Sequence, residues 1–187
     1  NVAKVVSGYS FKSVDFSKGT GIKAVKITNV GIGKFIEDEG DYLPDTYKNK
    51  YSNYQVKTGD VVMALTRTII SDGLKVAIVP DSYDNALLNQ RVAIIKGISG
   101  VADTRFIYYL LRMNFVHKYV LEKARSLMQP NLSINDLKKL KVPLPSLSEQ
   151  MQIIERINLE ENTITLNARL MSEHEAKIKL VIDEIWG

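Results

Sequence analysis

The segment Val142-Pro143-Leu144-Pro145-Ser146-Leu147-Ser148-Glu149-Gln150 divides the chain into two parts of different character. Proline and the residue before it both disfavour helix, so this segment is an extended stop. Just beyond the stop, Ser146 and Glu149 have the spacing of a capping box, in which a hydroxyl and a carboxylate satisfy free backbone amides. From Leu147 onward a seam repeats at alternating spacings of three and four. It reads Leu147, Gln150, Ile154, Ile157, Glu161, Ile164, Ala168, Met171, Glu175, Ile178, Ile182 and Ile185. No glycine or proline interrupts it before Gly187. The pattern predicts a coiled-coil helix over residues 146–187. About 40 residues of helix span roughly 60 Å.

A rod of that length cannot be covered by the body that residues 1–145 would form. Most of its seam therefore needs another chain. The expectation is a homodimer whose contacts include Ile154, Ile157, Ile164, Met171, Ile178, Ile182 and Ile185. In a parallel, in-register pair Glu161 and Glu175 would each face their own copy, and like charges repel. Antiparallel pairing avoids this and is the preferred reading. The other possibility is that the glutamates lie at an exposed edge of the seam.

Working back toward the N-terminus, residues 1–100 read as strands and turns. Val2–Val6, Ile22–Val30, Asp60–Thr66, Leu74–Val79 and Arg91–Ile95 are apolar or β-branched runs punctuated by Gly, Asn and Asp. The tyrosine-rich stretch Tyr42–Tyr54 is expected to hold a short helix. Helical spacing begins at Asp103 or Thr104, with Phe106, Leu110, Met113 and Val120 near one face. A second short helix is predicted near Ser133, three residues before Asp136. The fold class is therefore an α/β (α+β) domain with a largely antiparallel sheet and packed helices over 1–145, followed by one long helix. The chain opens directly on a strand-like run, so a few preceding residues are expected to be missing.

Charge separates the same two parts. Residues 1–145 carry 21 Lys/Arg against 13 Asp/Glu, and residues 146–187 carry 4 against 8. A basic body on an acidic stem suggests that the body meets a polyanion and the stem does not. There is no cysteine, which excludes a disulfide framework and a thiolate metal site. No run of about 18 apolar residues is present, so no membrane span is expected. A cytoplasmic location is the expectation.

Catalytic patterns are absent. His117 and His174 are far apart, each on a predicted helix, and do not suggest a metal or hydrolytic site. Gly19-Thr20-Gly21-Ile22-Lys23-Ala24 loosely matches a dinucleotide fingerprint, but it leads into a strand rather than opening a helix. Gly31-Ile32-Gly33-Lys34-Phe35 resembles the end of a phosphate loop, yet Thr28 stands where its leading glycine belongs. A turn between strands explains it better. No Asn/Asp-Pro-Pro-Tyr/Phe motif for adenine methylation occurs. Neither a catalytic residue nor a cofactor is expected.

Five segments taken in order resemble the specificity subunits of type I restriction-modification systems. They are Val6-Ser7-Gly8-Tyr9-Ser10-Phe11-Lys12-Ser13, the run Tyr54-Gln55-Val56-Lys57-Thr58-Gly59-Asp60-Val61-Val62 continuing to Thr66, and Leu87-Leu88-Asn89-Gln90-Arg91-Val92. The fourth centres on Gln129-Pro130-Asn131-Leu132, and the last is the Pro-Leu-Pro segment running on to Ile154. The resemblance implies a DNA target-recognition domain over 1–145 and a conserved spacer helix after it. It implies that full members carry two such domains and two antiparallel helices in one chain. This sequence holds one of each, so two copies would rebuild the usual arrangement. The implied partners are double-stranded DNA, methyltransferase (modification) subunits and a motor-nuclease (restriction) subunit. Chemistry on DNA would belong to those partners. Each recognition domain would read half of a split site.

Side chains that read bases carry paired donors and acceptors: Arg suits guanine, Asn and Gln suit adenine. Phosphates need Lys, Arg or small hydroxyl donors on loops. By these criteria the DNA-binding candidates are Thr66, Arg67, Thr68, Asn89, Gln90 and Arg91, then Ser10, Lys12 and Lys75, then Arg125, Gln129 and Asn131. Several have a scaffold role open to them. Asn89 and Gln90 would also serve to cap turns, and Gln129 and Asn131 to brace backbone. Tyr9 and Phe11 fit packing better than base stacking. A competing class is a coiled-coil interaction protein, such as an anti-restriction decoy, whose basic body is incidental. A third is the detached recognition end of a fused methyltransferase-nuclease.

Overall fold

The computed structural model describes residues 1–71, 73–123 and 131–186. Residues 1–147 form one compact unit and residues 148–187 a second. The first unit opens with β1 (Ala3–Ser7), β2 (Ile22–Val25), β3 (Tyr42–Leu43) and α1 (Tyr47–Lys50). There follow β4 (Val61–Ala64), β5 (Ile69–Ile70), β6 (Gly73–Leu74), β7 (Val76–Ile78), β8 (Leu87–Leu88) and β9 (Val92–Gly97). Three helices come next: α2 (Thr104–Leu111), α3 (Asn114–Lys123) and α4 (Ile134–Lys139).

The main sheet has the order β1-β9-β4-β7, and every pairing in it is antiparallel. All four residues of β4 are buried, as expected for a strand covered on both faces. Val61 and Met63 of β4, with Ala93 and Ile95 of β9, face a core closed by Ile107, Leu111, Val116, Val120 and Leu137 from the three helices. Val62, Ala64, Val92 and Ile94 face the opposite way, toward Val25, Val30, Tyr83 and Leu88. A smaller sheet, β3-β2-β8, lies in that second layer, and its β2–β8 pair is parallel.

Local chemistry sets where the elements end. The strand expected over Ile22–Val30 stops at Val25. Asn29 is buried, and its Oδ1 accepts the Lys26 amide at 2.9 Å, while its own amide donates to the Lys26 carbonyl at 3.0 Å. An asparagine side chain offers the backbone a turn in place of a ladder. Asp103 caps α2 by accepting the amides of Arg105 at 2.7 Å and Phe106 at 3.3 Å. Ser133 caps α4 by accepting the Asp136 amide at 3.0 Å.

The single helical face expected from Phe106 to Val120 is in fact divided. Amides of Arg112 and Met113 reach back three residues, to Tyr109 and Leu110, which tightens the last turn and closes α2. A new helix begins at Asn114. Phe106, Leu110 and Val120 are buried as the spacing requires, but Met113 falls in the break and is 52% exposed.

The second unit is carried by α5 (Leu147–Trp186), one helix of 40 residues. Gln150 and Ile154 are buried and Ile157 is half-buried. Farther along, Ile164 is 66% exposed, Met171 64% and Ile178 60%, and Ile182 and Ile185 are exposed as well. The pattern fits a coiled coil whose apolar seam is uncovered in the single chain. Among the described residues, no helix is long and apolar enough to cross a membrane.

Asp103→Ala removes the acceptor for two free amides of α2. It should lower the unfolding free energy by about 1 kcal/mol, read as an earlier midpoint in urea. An unchanged midpoint would contradict the capping role.

Candidate nucleic-acid interface

Strand direction alone brings four loops to one place. Because β1 and β4 both run antiparallel to β9, they are parallel to each other. The C-terminal ends of β1 and β4 therefore share an end of the sheet with the N-terminal ends of β7 and β9. The connections there are the segments after Ser7, after Ala64, before Val76 and before Val92.

Backbone hydrogen bonds stitch these segments together. The Gly8 amide donates to Val92 O at 3.0 Å, the Tyr9 amide to Leu88 O at 2.8 Å, and the Gln90 amide to Tyr9 O at 3.0 Å. On the β4 side, the Leu65 amide donates to Arg91 O at 2.8 Å and the Lys75 amide to Thr68 O at 2.8 Å. Residues from beyond α3 join them: the Leu132 amide donates to Leu65 O at 2.9 Å, and Asn131 Oδ1 accepts the Arg67 amide at 3.2 Å. Gly8 is required by this stitching, since a Cβ on it would lie 2.2 Å from Leu88 O. Arg67 has φ +49. That left-handed conformation is uncommon outside glycine and is retained only where surrounding contacts hold it.

Thr66, Arg67, Thr68, Lys75, Asn89, Gln90, Arg91 and Asn131 thus meet at one end of the sheet, and Ser10 and Lys12 continue from Tyr9 at the same end. Arg125 and Gln129 lie outside the described residues. The side chains divide by exposure. Ser10, Lys12, Arg67, Arg91 and Asn131 are exposed, and Thr66, Asn89 and Gln90 are half-buried. Thr68 and Lys75 are buried. Lys75 Nζ donates to the Ile27 carbonyl. Burial pushes its ammonium below the usual lysine range, and the positive charge of Arg67 pushes the same way. Asn89 Oδ1 accepts the Arg91 amide at 3.3 Å, so one of its polar groups serves the turn. Among the described residues, Gln90 Oε1 and Thr68 Oγ1 are buried without a hydrogen-bond partner. Buried polar atoms are rarely left so.

Beside this end lies an aromatic group. Phe11 is buried among Phe16, Tyr47 and Tyr51, while Tyr9, partly exposed, has its ring centroid 4.4 Å from that of Tyr51. Packing accounts for Phe11. Arg112 was not singled out by its residue type or spacing, yet it also comes here. Its helix starts at the far end of β9, where Gly97 N donates to Thr104 Oγ1 at 3.1 Å, and runs back. Near the return, Tyr108 Oη donates to Gly33 O at 2.7 Å, and Ile32 bridges to Val76 at the start of β7. The signal for it is the two-turn length of α2, which carries the residue after it back across the sheet.

No group of histidines, aspartates and glutamates suited to a metal occurs among the described residues. What the arrangement offers is an exposed cluster of cations, amides and hydroxyls held on stitched loops.

Known proteins place this geometry in context. The chain is 34% identical over 97% of its length to the type I restriction enzyme MjaVIII specificity subunit of Methanocaldococcus jannaschii, of which it covers 43%. It is 29% identical over 84% of its length to the EcoAI specificity subunit of Escherichia coli, of which it covers 26%. The chain thus spans less than half the length of these relatives. The crystal structure of the HsdS subunit from Thermoanaerobacter tengcongensis shares the fold, with a TM-score of 0.64, 20% identity, and coverage of 96% of this chain and 47% of that one. The model of the type I restriction modification DNA specificity domain matches residues 2–175, nearly the whole sequence, and the chain belongs to that family.

Proposed function

We propose that residues 1–145 read one half of a bipartite DNA site, and that residues 146–187 hold two such readers apart in a homodimer. The observation that carries this is the convergence of the candidate side chains at one end of the β1-β9-β4-β7 sheet, within a member of a DNA specificity family. In this reading Arg67 and Arg91 present guanidinium groups to guanine edges, while the buried Oε1 of Gln90 leaves that residue to support the loop. Ser10 and Lys12 serve phosphates. Thr68 and Lys75 act beneath the surface, with Lys75 fixing the Ile27 backbone. Asn131 braces Arg67.

The stems pair antiparallel through Ile157, Ile164, Met171, Ile178, Ile182 and Ile185. Ile154, near the start of the stem, belongs to the same seam. Exposed apolar residues repeating at heptad spacing support the pairing. Methyltransferase subunits and a motor-nuclease subunit dock on this frame and perform the chemistry. A two-fold protein with identical readers implies a two-fold related, interrupted site.

Titration with duplex DNA over a range of salt tests the reading. Affinity should fall steeply as salt rises, because phosphate neutralisation releases counterions. Weak binding at every salt would favour an interaction scaffold instead. On the preferred duplex, Arg67→Ala should cost about 1–3 kcal/mol and relax the preference at one position. Unchanged affinity and preference would remove Arg67 from the readers. For the stem, combining Ile164→Asp with Ile178→Asp should abolish the dimer, since a charge buried without a partner costs about 3–5 kcal/mol. A variant that still sediments as a dimer would refute the seam.

A further inference from the structure

The stretch Tyr47-Lys48-Asn49-Lys50-Tyr51-Ser52-Asn53-Tyr54 forms α1 and a single 3-10 turn, Ser52–Tyr54. No aspartate or glutamate occurs from Thr46 to Gly59. Two sets of contacts pin this stretch beside the stitched loops. Gln55 bridges to Leu87, and the Val56 amide donates to Ala86 O at 2.9 Å, just before the chain turns into Asn89 and Arg91. The Tyr9 ring lies 4.4 Å from that of Tyr51 and 5.4 Å from that of Tyr54, centroid to centroid. Tyr9 is itself fixed in the stitching, since its amide donates to Leu88 O and its carbonyl accepts the Gln90 amide. Rings from two distant segments therefore meet beside Ser10 and Lys12.

Packing explains the rings but not the polar groups. Tyr47 and Tyr51 cover the buried Phe11, Ala24, Leu43 and Leu87. Phenylalanine would cover them as well, with no hydroxyl to satisfy. Tyr9 is 37% exposed, and Tyr51 and Tyr54 are half-buried. The bond to the Tyr51 hydroxyl pushes the Tyr9 phenol above its usual range, so its proton stays on at neutral pH. The Lys50 ammonium acts on Tyr9 in the opposite sense, as a positive charge nearby must. Lys50 is exposed, with Nζ 5.3 Å from the centroid of Tyr51 and 5.7 Å from that of Tyr47. Among the described residues no carboxylate pairs with it. Tyr47 stands apart from this set, because its hydroxyl bonds Asp15, whose carboxylate also accepts the Lys12 amide at 3.2 Å. What remains is an ammonium among phenol hydroxyls, a donor set suited to an anion.

We propose that Tyr9, Lys50, Tyr51 and Tyr54 form a phosphate site, at which the DNA backbone is held beside the loops of Ser10 and Arg91. The proposal rests on the DNA-reading function above. Phosphate oxygens accept from ammonium and hydroxyl donors, and such contacts set register without reading sequence. A bond to a charged acceptor is stronger than one between neutral groups. The rings are packed before anything binds, which reduces the ordering cost when DNA arrives.

The test uses the full chain with two duplexes, one of mixed sequence and one enriched from a random pool, each titrated over a range of salt. Lys50→Ala should weaken both duplexes by the same factor and reduce the slope of log K against log salt by about 0.9, the share of one phosphate. Tyr51→Phe combined with Tyr54→Phe keeps the rings and removes two hydroxyls. It should weaken both duplexes about tenfold at an unchanged slope, as loss of a bond to a charged group does. Lys4 is exposed and pairs with Lys96 at the opposite end of the sheet, so Lys4→Ala should match the unaltered chain. Loss of folded protein would lower the bindable fraction without moving the slope, and the thermal midpoint of each variant records it. An unaltered slope for Lys50→Ala, the same change from Lys4→Ala, full affinity in the phenylalanine variant, or a loss confined to the enriched duplex each overturns the phosphate site while leaving DNA reading intact. If the unaltered chain binds neither duplex, DNA reading fails and the site fails with it.

Discussion

β9 is hydrogen-bonded on both sides, to β1 and to β4, and this decides which loops share an end of the molecule. Two antiparallel pairings onto one strand force the exits of β1 and β4 to meet the entry of β9. The backbone bonds at Gly8, Tyr9, Leu65 and Gln90 then lock those loops to one another. Chain segments separated by dozens of residues become one surface. A site built this way is set by sheet register. A slip of one residue in β9 would turn its side chains to the opposite faces and lose the stitching.

The stem poses a different constraint. A long helix with isoleucines and methionine exposed along one face is costly to leave in water. Its first turns bury Gln150 and Ile154, and from Ile164 on the seam is uncovered. The proposed pairing of two stems removes that cost and fixes the distance between two bodies. In that proposal acidic stems and basic bodies separate the two tasks by charge, and DNA is drawn to the bodies.

Much of this was legible in the residues because local chemistry and global fold agree. Asp103 and Ser133 announced helix starts, and the Pro-Leu-Pro stop announced the stem. Where reading failed, a contact that the residue pattern does not reveal overrode it. Asn29 ends β2 early because its side chain is buried and bonded to Lys26 and Ile36, and β-branched runs do not reveal such a partner. Met113 kept helical spacing but fell in a break set by bonds to the third residue back. In the candidate site, residue type found the exposed cations Arg67 and Arg91. It could not show that Lys75 is buried onto Ile27, or that Arg112 is brought to Gly33. Both facts depend on how α2 and the second layer fold over the sheet.

The most direct measurement is the sequence of the duplexes that the purified chain enriches from a random pool. The account predicts two identical half-sites in inverted orientation, separated by a gap of fixed length that is not itself specified. A single ungapped motif, or a pool no different from the input, would contradict it.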